Sequence, residues 1–207
     1  MINTLFFDLG GVLIKQPNGR QLKIWKKVFG GKHKSEVLEM LENPHGSQLI
    51  KDICLGNLTE DFLWHQMAEK WHISPMIIQY FRRKMSSQRQ LNSAIIDFIA
   101  KLRGKYKTAI LSNAGDQTRR LMEETYHLNV LVDEIIISAE EGVIKPDHRI
   151  FEIAMVRLET KPEQSLLLDD YLENVVAARE FGMHAVQFIN THQAINEVCN
   201  YLDGRCF

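Results

Sequence analysis

Five short apolar segments recur along the 207-residue chain, and stretches with the spacing of helices separate the later ones. The segments do not alternate apolar and polar side chains, which is typical of strands buried on both faces of a parallel sheet. The predicted strands are Thr4 to Phe7, Thr108 to Leu111, Glu134 to Ser138, Leu166 to Leu168 and Ala185 to Phe188. The helices predicted between the later strands are Gln117 to Tyr126, Arg149 to Leu158 and Leu172 to Phe181, the last ended by Gly182. This order predicts an α/β fold.

The interval between the first two predicted strands is different, because about ninety residues pass without a strand pattern, far more than a crossover needs. Helical patterns fill it. The residues that would share helix faces are Leu22, Trp25 and Phe29; Leu63, Met67 and Trp71 after Thr59; Ile77, Phe81 and Met85 after Ser74 and Pro75; and Leu91, Ile95, Phe98 and Leu102. We therefore predict a three-layered, Rossmann-like parallel sheet core formed by residues 1–15 and 89–207. Residues 16–88 would form an inserted α-helical cap over the carboxyl ends of the strands.

Composition and charge narrow the function classes. The chain is 45% hydrophobic and 25% charged, values typical of globular proteins rather than of disordered or membrane proteins. A formal net charge of -1 gives no reason to expect a nucleic-acid partner. The stretch from Lys15 to Lys34 holds seven Lys or Arg residues and no acid. Such a stretch is usually a solvated face, and the alternative is a basic wall facing an anionic ligand.

The cysteines and the N-terminus indicate a compartment. Cys54, Cys199 and Cys206 are odd in number and lack the spacing of a metal site, so we expect reduced thiols. No apolar stretch approaches the length of a membrane span, and no basic region precedes the short apolar run at the N-terminus. We therefore expect a cytoplasmic protein.

Polar side chains follow four of the predicted strands, at the edge where an open parallel sheet forms its functional crevice. They are Asp8 after the first strand, Ser112 and Asn113 after the second, Lys145 after the third, and Asp169 and Asp170 after the fourth. Each alone has an ordinary explanation as a helix cap, a helix-dipole partner or a surface lysine. Together they predict one site with three carboxylates, a hydroxyl, an amide and an ammonium.

These segments carry a family resemblance. In order, "FFDLGGVL", "ILSNAG", "GVIKPDHRIF" and "LLLDDYLENVVAAREFGM" resemble the four motifs of the haloacid dehalogenase-like hydrolases, and the predicted insertion resembles their small helical cap. "FDLG" and the cap stretch "LGNLTEDFLWHQM" are similar to the glucose-1-phosphate phosphatase branch. The resemblance implies hydrolysis of a small phosphorylated metabolite through an aspartyl-phosphate intermediate, with Asp8 as the nucleophile.

The resemblance also implies a metal site. Mg²⁺ would be held by Asp8, by the backbone carbonyl of Gly10 and by Asp170, with Asp169 binding directly or through water. Asn174, four residues after Asp170, would orient the metal ligands. A cation is needed because a carboxylate and a phosphate repel by about 4 kcal/mol per charge pair at 4 Å in a medium of dielectric near 20.

The remaining groups are expected to bind phosphate. Lys145 would bridge Asp8 and the phosphate as a point charge. The other expected phosphate ligands are the Ser112 hydroxyl and the backbone N–H groups of Asn113, Leu9 and Gly10.

Gly10 departs from the family pattern, because most phosphatases of this superfamily carry an aspartate there as general acid and base. One interpretation is a phosphatase whose leaving group needs little protonation, such as a sugar 1-phosphate. A second is a 2-haloacid dehalogenase, in which the same Asp8 would attack carbon without a metal. A third is a catalytically weakened binding or regulatory module.

Overall fold

The computed structural model describes residues 1–15, 46–70, 72–87 and 89–202. In this part of the chain five parallel strands form one sheet in the order β3-β2-β1-β4-β5. The strands are β1 (Thr4–Phe7), β2 (Lys107–Ser112), β3 (Glu134–Ile137), β4 (Ser165–Asp169) and β5 (His184–Gln187). The predicted α/β class and parallel sheet are confirmed. The strand order runs outward in both directions from β1, so the switch point lies between β1 and β4.

The sheet is buried on both faces, which explains the strands without alternation. Phe6 belongs to one hydrophobic cluster, together with Leu111 and Phe151. Its neighbours Leu5 and Phe7 belong to the opposite cluster. Successive side chains of a strand point to opposite faces, so each cluster fills one side of the sheet. This is the predicted three-layer core.

The helices of the core follow the prediction with shifts at their ends. They are α4 (Ser93–Leu102), α5 (Thr118–Arg120) with a π-helical turn over Leu121–Thr125, α6 (Ser138–Glu141), α7 (His148–Arg157), α8 (Leu172–Glu180) and α9 (Thr191–Tyr201). Among the predicted boundaries that are wrong, Phe188 lies beyond the end of β5 instead of ending it. Ser138 begins α6 instead of ending β3, and Leu91 pairs with Ile14 in a β-bridge before α4 begins.

The described part of the insertion is helical, as predicted. Its helices are α1 (Gln48–Cys54), α2 (Glu60–Lys70) and α3 (Pro75–Ser87). They bury their own hydrophobic cluster, formed by Ile53, Leu63, Met67, Ala68, Ile78 and Phe81. Ile78 takes the buried position predicted for Ile77, which is 49% exposed. The faces predicted for Leu22, Trp25 and Phe29, for Trp71 and for the Met85 side chain lie outside what the structure describes, as does most of the basic stretch.

The two connections between core and insertion run side by side. Lys15 N–H donates to the Gln90 carbonyl at 2.8 Å, and Asn92 N–H donates to the Leu13 carbonyl at 2.8 Å. A separate hydrophobic cluster and paired connections support our proposal that residues 16–88 form a cap domain on a core of residues 1–15 and 89–207.

The insertion also touches the core beside the strand ends. Glu60 N–H, at the start of α2, donates to Asp116 Oδ1 at 2.9 Å. Gly56, with φ of +73°, lies so close to the core that a Cβ atom there would be 2.3 Å from the Ala139 carbonyl oxygen. No side chain fits that space.

Replacing Gly56 with alanine should therefore destabilise the protein. A left-handed alanine costs about 1–2 kcal/mol, and the collision with a backbone carbonyl adds about 1–3 kcal/mol. Gly142 is the matched control, because its φ is +68° and nothing lies within 4 Å of its Cβ position. Urea unfolding of both variants measures the difference, and equal losses would contradict the contact between Gly56 and Ala139.

The structure also bears on the expectations for the cysteines and for membrane-spanning helices. Cys54 is a free thiol, whereas Cys199 takes part in a disulfide, so the expectation of reduced cysteines is wrong for Cys199. Within the described residues, no helix combines the length and the apolar character that a membrane crossing requires.

Candidate active site

The strand register brings the first carboxylates together. β1 and β4 pair Phe7 with Leu168, so the next residues, Asp8 and Asp169, lie at the same edge. Asp8 N–H continues the ladder by donating to the Leu168 carbonyl at 2.9 Å. Asp8 is 8% exposed and Asp169 is fully buried. Two buried carboxylates side by side require a cation, because each would otherwise lose its hydration without compensation.

Lys145 supplies that cation. Its Nζ atom donates to Asp8 Oδ1 at 2.8 Å, to Asp169 Oδ2 at 2.6 Å and to the Leu111 carbonyl at 2.7 Å. Those are the three donors that an ammonium group has. The side chain is 1% exposed, so the charge is held in one place rather than solvated.

The pKa values reflect this burial. Burial, together with the neighbouring carboxylates of Asp169 and Asp170, raises the pKa of the Asp8 carboxyl to about 7 against the lowering effect of Lys145. Burial alone would lower the pKa of the Lys145 ammonium, but the carboxylates of Asp169 and Asp8 raise it above its ordinary value. Lys145 is therefore charged near neutral pH, whereas the pKa of Asp8 lies close to neutral pH and depends on the neighbouring charges.

Asp169 is saturated with hydrogen bonds. Its Oδ1 accepts from Tyr171 N–H at 2.8 Å and from Asn174 Nδ2 at 3.0 Å. Its Oδ2 accepts from Lys145 and, at 3.1 Å, from Asn174 Nδ2. A carboxylate has about four lone-pair positions, so a direct bond from Asp169 to a metal would displace one of these donors. Asn174 thus contacts both oxygens of Asp169, and its role in orienting the metal ligands stays a prediction.

Asp170 completes a carboxylate cluster. One oxygen each from Asp8, Asp169 and Asp170 lie within 4.8 Å of one another. Asp8 and Asp169 are buried and Asp170 is half-buried. Hard oxygen donors in this number suit Mg²⁺, which takes carboxylate, carbonyl and water ligands. The three carboxylates face one ammonium, so a divalent cation would also neutralise the excess charge.

These motifs, placed on a five-stranded parallel sheet, match those of a known family. The sequence profile of the haloacid dehalogenase-like hydrolases matches residues 6–188. The chain belongs to this family. Phosphatases are among its relatives.

The hydrolase resembles several curated proteins. It is 21% identical over 193 residues to D-ribitol-5-phosphate phosphatase of Bacteroides thetaiotaomicron, covering 90% of this chain and 92% of that protein. It is 26% identical over 207 residues to glyceraldehyde 3-phosphate phosphatase of Pyrococcus furiosus, covering 90% and 80%. It is also 26% identical over 205 residues to mouse acyl-CoA dehydrogenase family member 10, but the match, 94% of this chain, spans only 18% of that protein.

Solved structures agree with the fold. A HAD-like family hydrolase from Porphyromonas gingivalis superposes with a TM-score of 0.78 at 26% identity, covering 96% of this chain and 98% of that one. A HAD family enzyme from B. thetaiotaomicron, solved with magnesium and inorganic phosphate, gives 0.73 at 22% identity, covering 90% and 94%. The second likeness shows the fold alone.

The expected phosphate-binding residues of the hydrolase lie around the carboxylates. Ser112 is the buried last residue of β2. Asn113 braces Lys145, because its Nδ2 donates to the Lys145 carbonyl at 2.7 Å and its Oδ1 accepts from Lys145 N–H at 2.8 Å. Leu9 accepts from Ile14 N–H at 2.7 Å in the turn that follows Asp8. The side chain of Asn113 thus has a bracing contact that the sequence did not indicate.

Sequence reasoning missed three groups that support the site. The Leu111 carbonyl holds Lys145, and Tyr171 N–H holds Asp169. Ser138 Oγ accepts from Ala114 N–H at 3.0 Å, which ties the loop after β2 to the start of α6. Two of the three act through backbone atoms, so no side-chain pattern could have revealed them.

Gly10 leaves open space in the site. A Cβ atom there would have Asp8 Oδ2 at 3.9 Å as its neighbour, an ordinary contact, and its φ does not lie in the left-handed region. The fold therefore does not require glycine at this position. A clash at the Cβ position therefore does not explain why residue 10 is a glycine rather than an acid.

Proposed function

We propose that the hydrolase is a Mg²⁺-dependent phosphatase that cleaves a small phosphomonoester through an aspartyl-phosphate on Asp8. The observation that carries the proposal is the placement of Lys145 between Asp8 and Asp169, with Asp170 beside them at the switch point of the sheet. The phosphatase relatives support it.

The proposed metal ligands are Asp8, the Gly10 carbonyl and Asp170. We assign Asp169 mainly to Lys145 and Asn174, because its oxygens already accept four hydrogen bonds. When bound, Mg²⁺ would supply positive charge to the phosphate oxygens. Among the four charged side chains of the cluster only Lys145 is positive, so an anionic substrate would otherwise meet excess negative charge.

The proposed reaction has two steps. A carboxylate oxygen of Asp8 attacks phosphorus while the bond from phosphorus to the ester oxygen breaks, and the departing alcohol takes a proton from water. Water then attacks the phosphorus of the aspartyl-phosphate, which releases inorganic phosphate and restores the Asp8 carboxylate. The Ser112 hydroxyl and the N–H groups of Leu9, Gly10 and Asn113 are the proposed donors to the phosphoryl oxygens, and Lys145 holds Asp8 in position.

The lack of an acidic side chain at Gly10 limits the leaving groups that the enzyme could expel. A positioned general acid accelerates such reactions by about 10²–10⁴-fold, and residue 10 offers none. An anomeric oxygen leaves more easily than an ordinary alkoxide, so we propose a sugar 1-phosphate as substrate. We also propose that the enzyme acts in the cytoplasm, a location that fractionation of cells would test.

Phosphate release from a panel of phosphomonoesters tests the proposal. We expect turnover with Mg²⁺, a higher kcat/KM for hexose 1-phosphates than for hexose 6-phosphates, and a loss of at least about 100-fold after EDTA, reversed by Mg²⁺. EDTA already loaded with excess Mg²⁺ is the control. Turnover that resists EDTA would contradict the metal site.

Two other outcomes point elsewhere. Chloride release from a 2-chloroacid in the presence of EDTA would favour the dehalogenase, although that reaction would leave Asp170 without a use. Mg²⁺ binding without turnover of any ester would favour a binding or regulatory module.

A further inference from the structure

Gly11 lies directly beside Asp170, one of the proposed metal ligands. Its φ is +78°, and a Cβ atom built on it would lie 1.9 Å from Asp170 Oδ2 and 2.4 Å from Asp170 Cγ. Real atoms do not approach so closely, so the Asp170 carboxylate occupies the space that any side chain at residue 11 would need. Gly10, one residue earlier, has no such neighbour.

The turn that contains Gly11 is held firmly. Gly11 N–H donates to the Ile14 carbonyl at 2.8 Å, and Ile14 N–H donates to the Leu9 carbonyl at 2.7 Å. The bonds from Lys15 to Gln90 and from Asn92 to Leu13 tie its end to the other connection of the insertion. The atoms of Asp170 that a Cβ atom at residue 11 would meet are those of the carboxylate, the far end of a half-buried side chain. A collision at residue 11 would therefore be relieved by displacement of the carboxylate.

Asp169 cannot easily replace a displaced Asp170. Its oxygens accept from Lys145, Tyr171 and Asn174, and it is fully buried. One carboxylate oxygen of Asp8 accepts a hydrogen bond from Lys145. Of the carboxylates in the cluster, Asp170 is thus the one that lies in the space of a side chain at residue 11.

We propose that Gly11 is a positioning residue, and that its missing side chain is what lets the Asp170 carboxylate take its place in the metal site. The inference rests on the proposed metal-dependent function. It makes the second glycine of "DLGG" a requirement of metal binding, separate from any role of Gly10.

Direct metal titration of the whole protein tests the inference without turnover. Mn²⁺ binding, measured by electron paramagnetic resonance or calorimetry, should weaken by about 10–100-fold in Gly11→Ala, the range found when the support of a metal ligand is lost. Gly104→Ala is the matched control, because Gly104 has φ of +79° and nothing within 4 Å of its Cβ position. That variant should bind Mn²⁺ like the wild type.

A double variant keeps the test decisive if Gly11→Ala folds poorly. In an Asp170→Ala background the colliding carboxylate is gone, so adding Gly11→Ala should lower the urea midpoint no more than Gly104→Ala does. A larger loss would overturn the inference, as would wild-type Mn²⁺ affinity in the single variant. Failure of the wild type to bind Mn²⁺ or Mg²⁺ would instead overturn the proposed metal-dependent function, and this inference with it.

Discussion

Replacing Asp8 with asparagine should reduce phosphate release by about 10⁴-fold or more, the order of effect seen when a covalent nucleophile is removed. The amide nitrogen and oxygen of asparagine are poor nucleophiles, and the variant cannot form the acyl-phosphate. Asparagine has nearly the same size, and Lys145 keeps its bonds to Asp169 and the Leu111 carbonyl. The loss should therefore appear in kcat while the protein stays folded.

Asp97 is a suitable control, because it is an exposed carboxylate on α4, away from the site. Asp97→Asn should leave kcat within a factor of about two, since an exposed substitution without partners changes little. Acid quenching of the wild type during turnover should trap phosphate on Asp8, as peptide mapping would show. Substantial turnover by the Asp8 variant, or phosphate trapped on another residue, would remove Asp8 from its proposed role.

The sequence was informative wherever a function depends on the end of a buried strand. Asp8 and Asp169 were predicted to meet because apolar runs fix the strands, and parallel strands align their carboxyl ends. The observed register pairs Phe7 with Leu168, which places the two following carboxylates side by side. The same reasoning found the sheet, because each of its strands is a short apolar run without alternation.

Features that depend on loops and on helix packing were less predictable. Lys145 is predicted beside Asp8, but it lies eight residues beyond the end of β3, and its bond to Asp169 is known only from the fold. The buried face of α3 runs through Ile78 rather than Ile77, because contacts with α1 and α2 select the face when the pattern allows more than one. Nothing in the sequence explains why the second glycine of the first motif, Gly11, is a glycine. The structure explains it, because the Asp170 carboxylate occupies the space that a side chain there would need.

Replacing Lys145 with methionine should destabilise the protein by about 3–5 kcal/mol near neutral pH, because two buried carboxylates lose their shared cation. Methionine has a similar length and no charge, so packing is disturbed little. Activity should also fall, since Asp8 loses the group that holds it in place. Lys105→Met, at an exposed lysine, should change the free energy of unfolding by less than about 0.5 kcal/mol.

The destabilisation of Lys145→Met should shrink as the pH falls from about 8 to about 5. Lys145 lowers the pKa of Asp8, which is already raised to about 7, so its removal raises that pKa further. A carboxyl group with a higher pKa in the folded state binds protons more readily there than in the unfolded chain, so acid stabilises the variant relative to neutral pH. The pKa of Lys145 is itself raised in the folded wild type, so its stabilising charge is fully present throughout this range. Urea unfolding of both proteins at the two pH values measures the change, and a difference that stays constant or grows in acid would show that Asp8 is not the group that Lys145 stabilises.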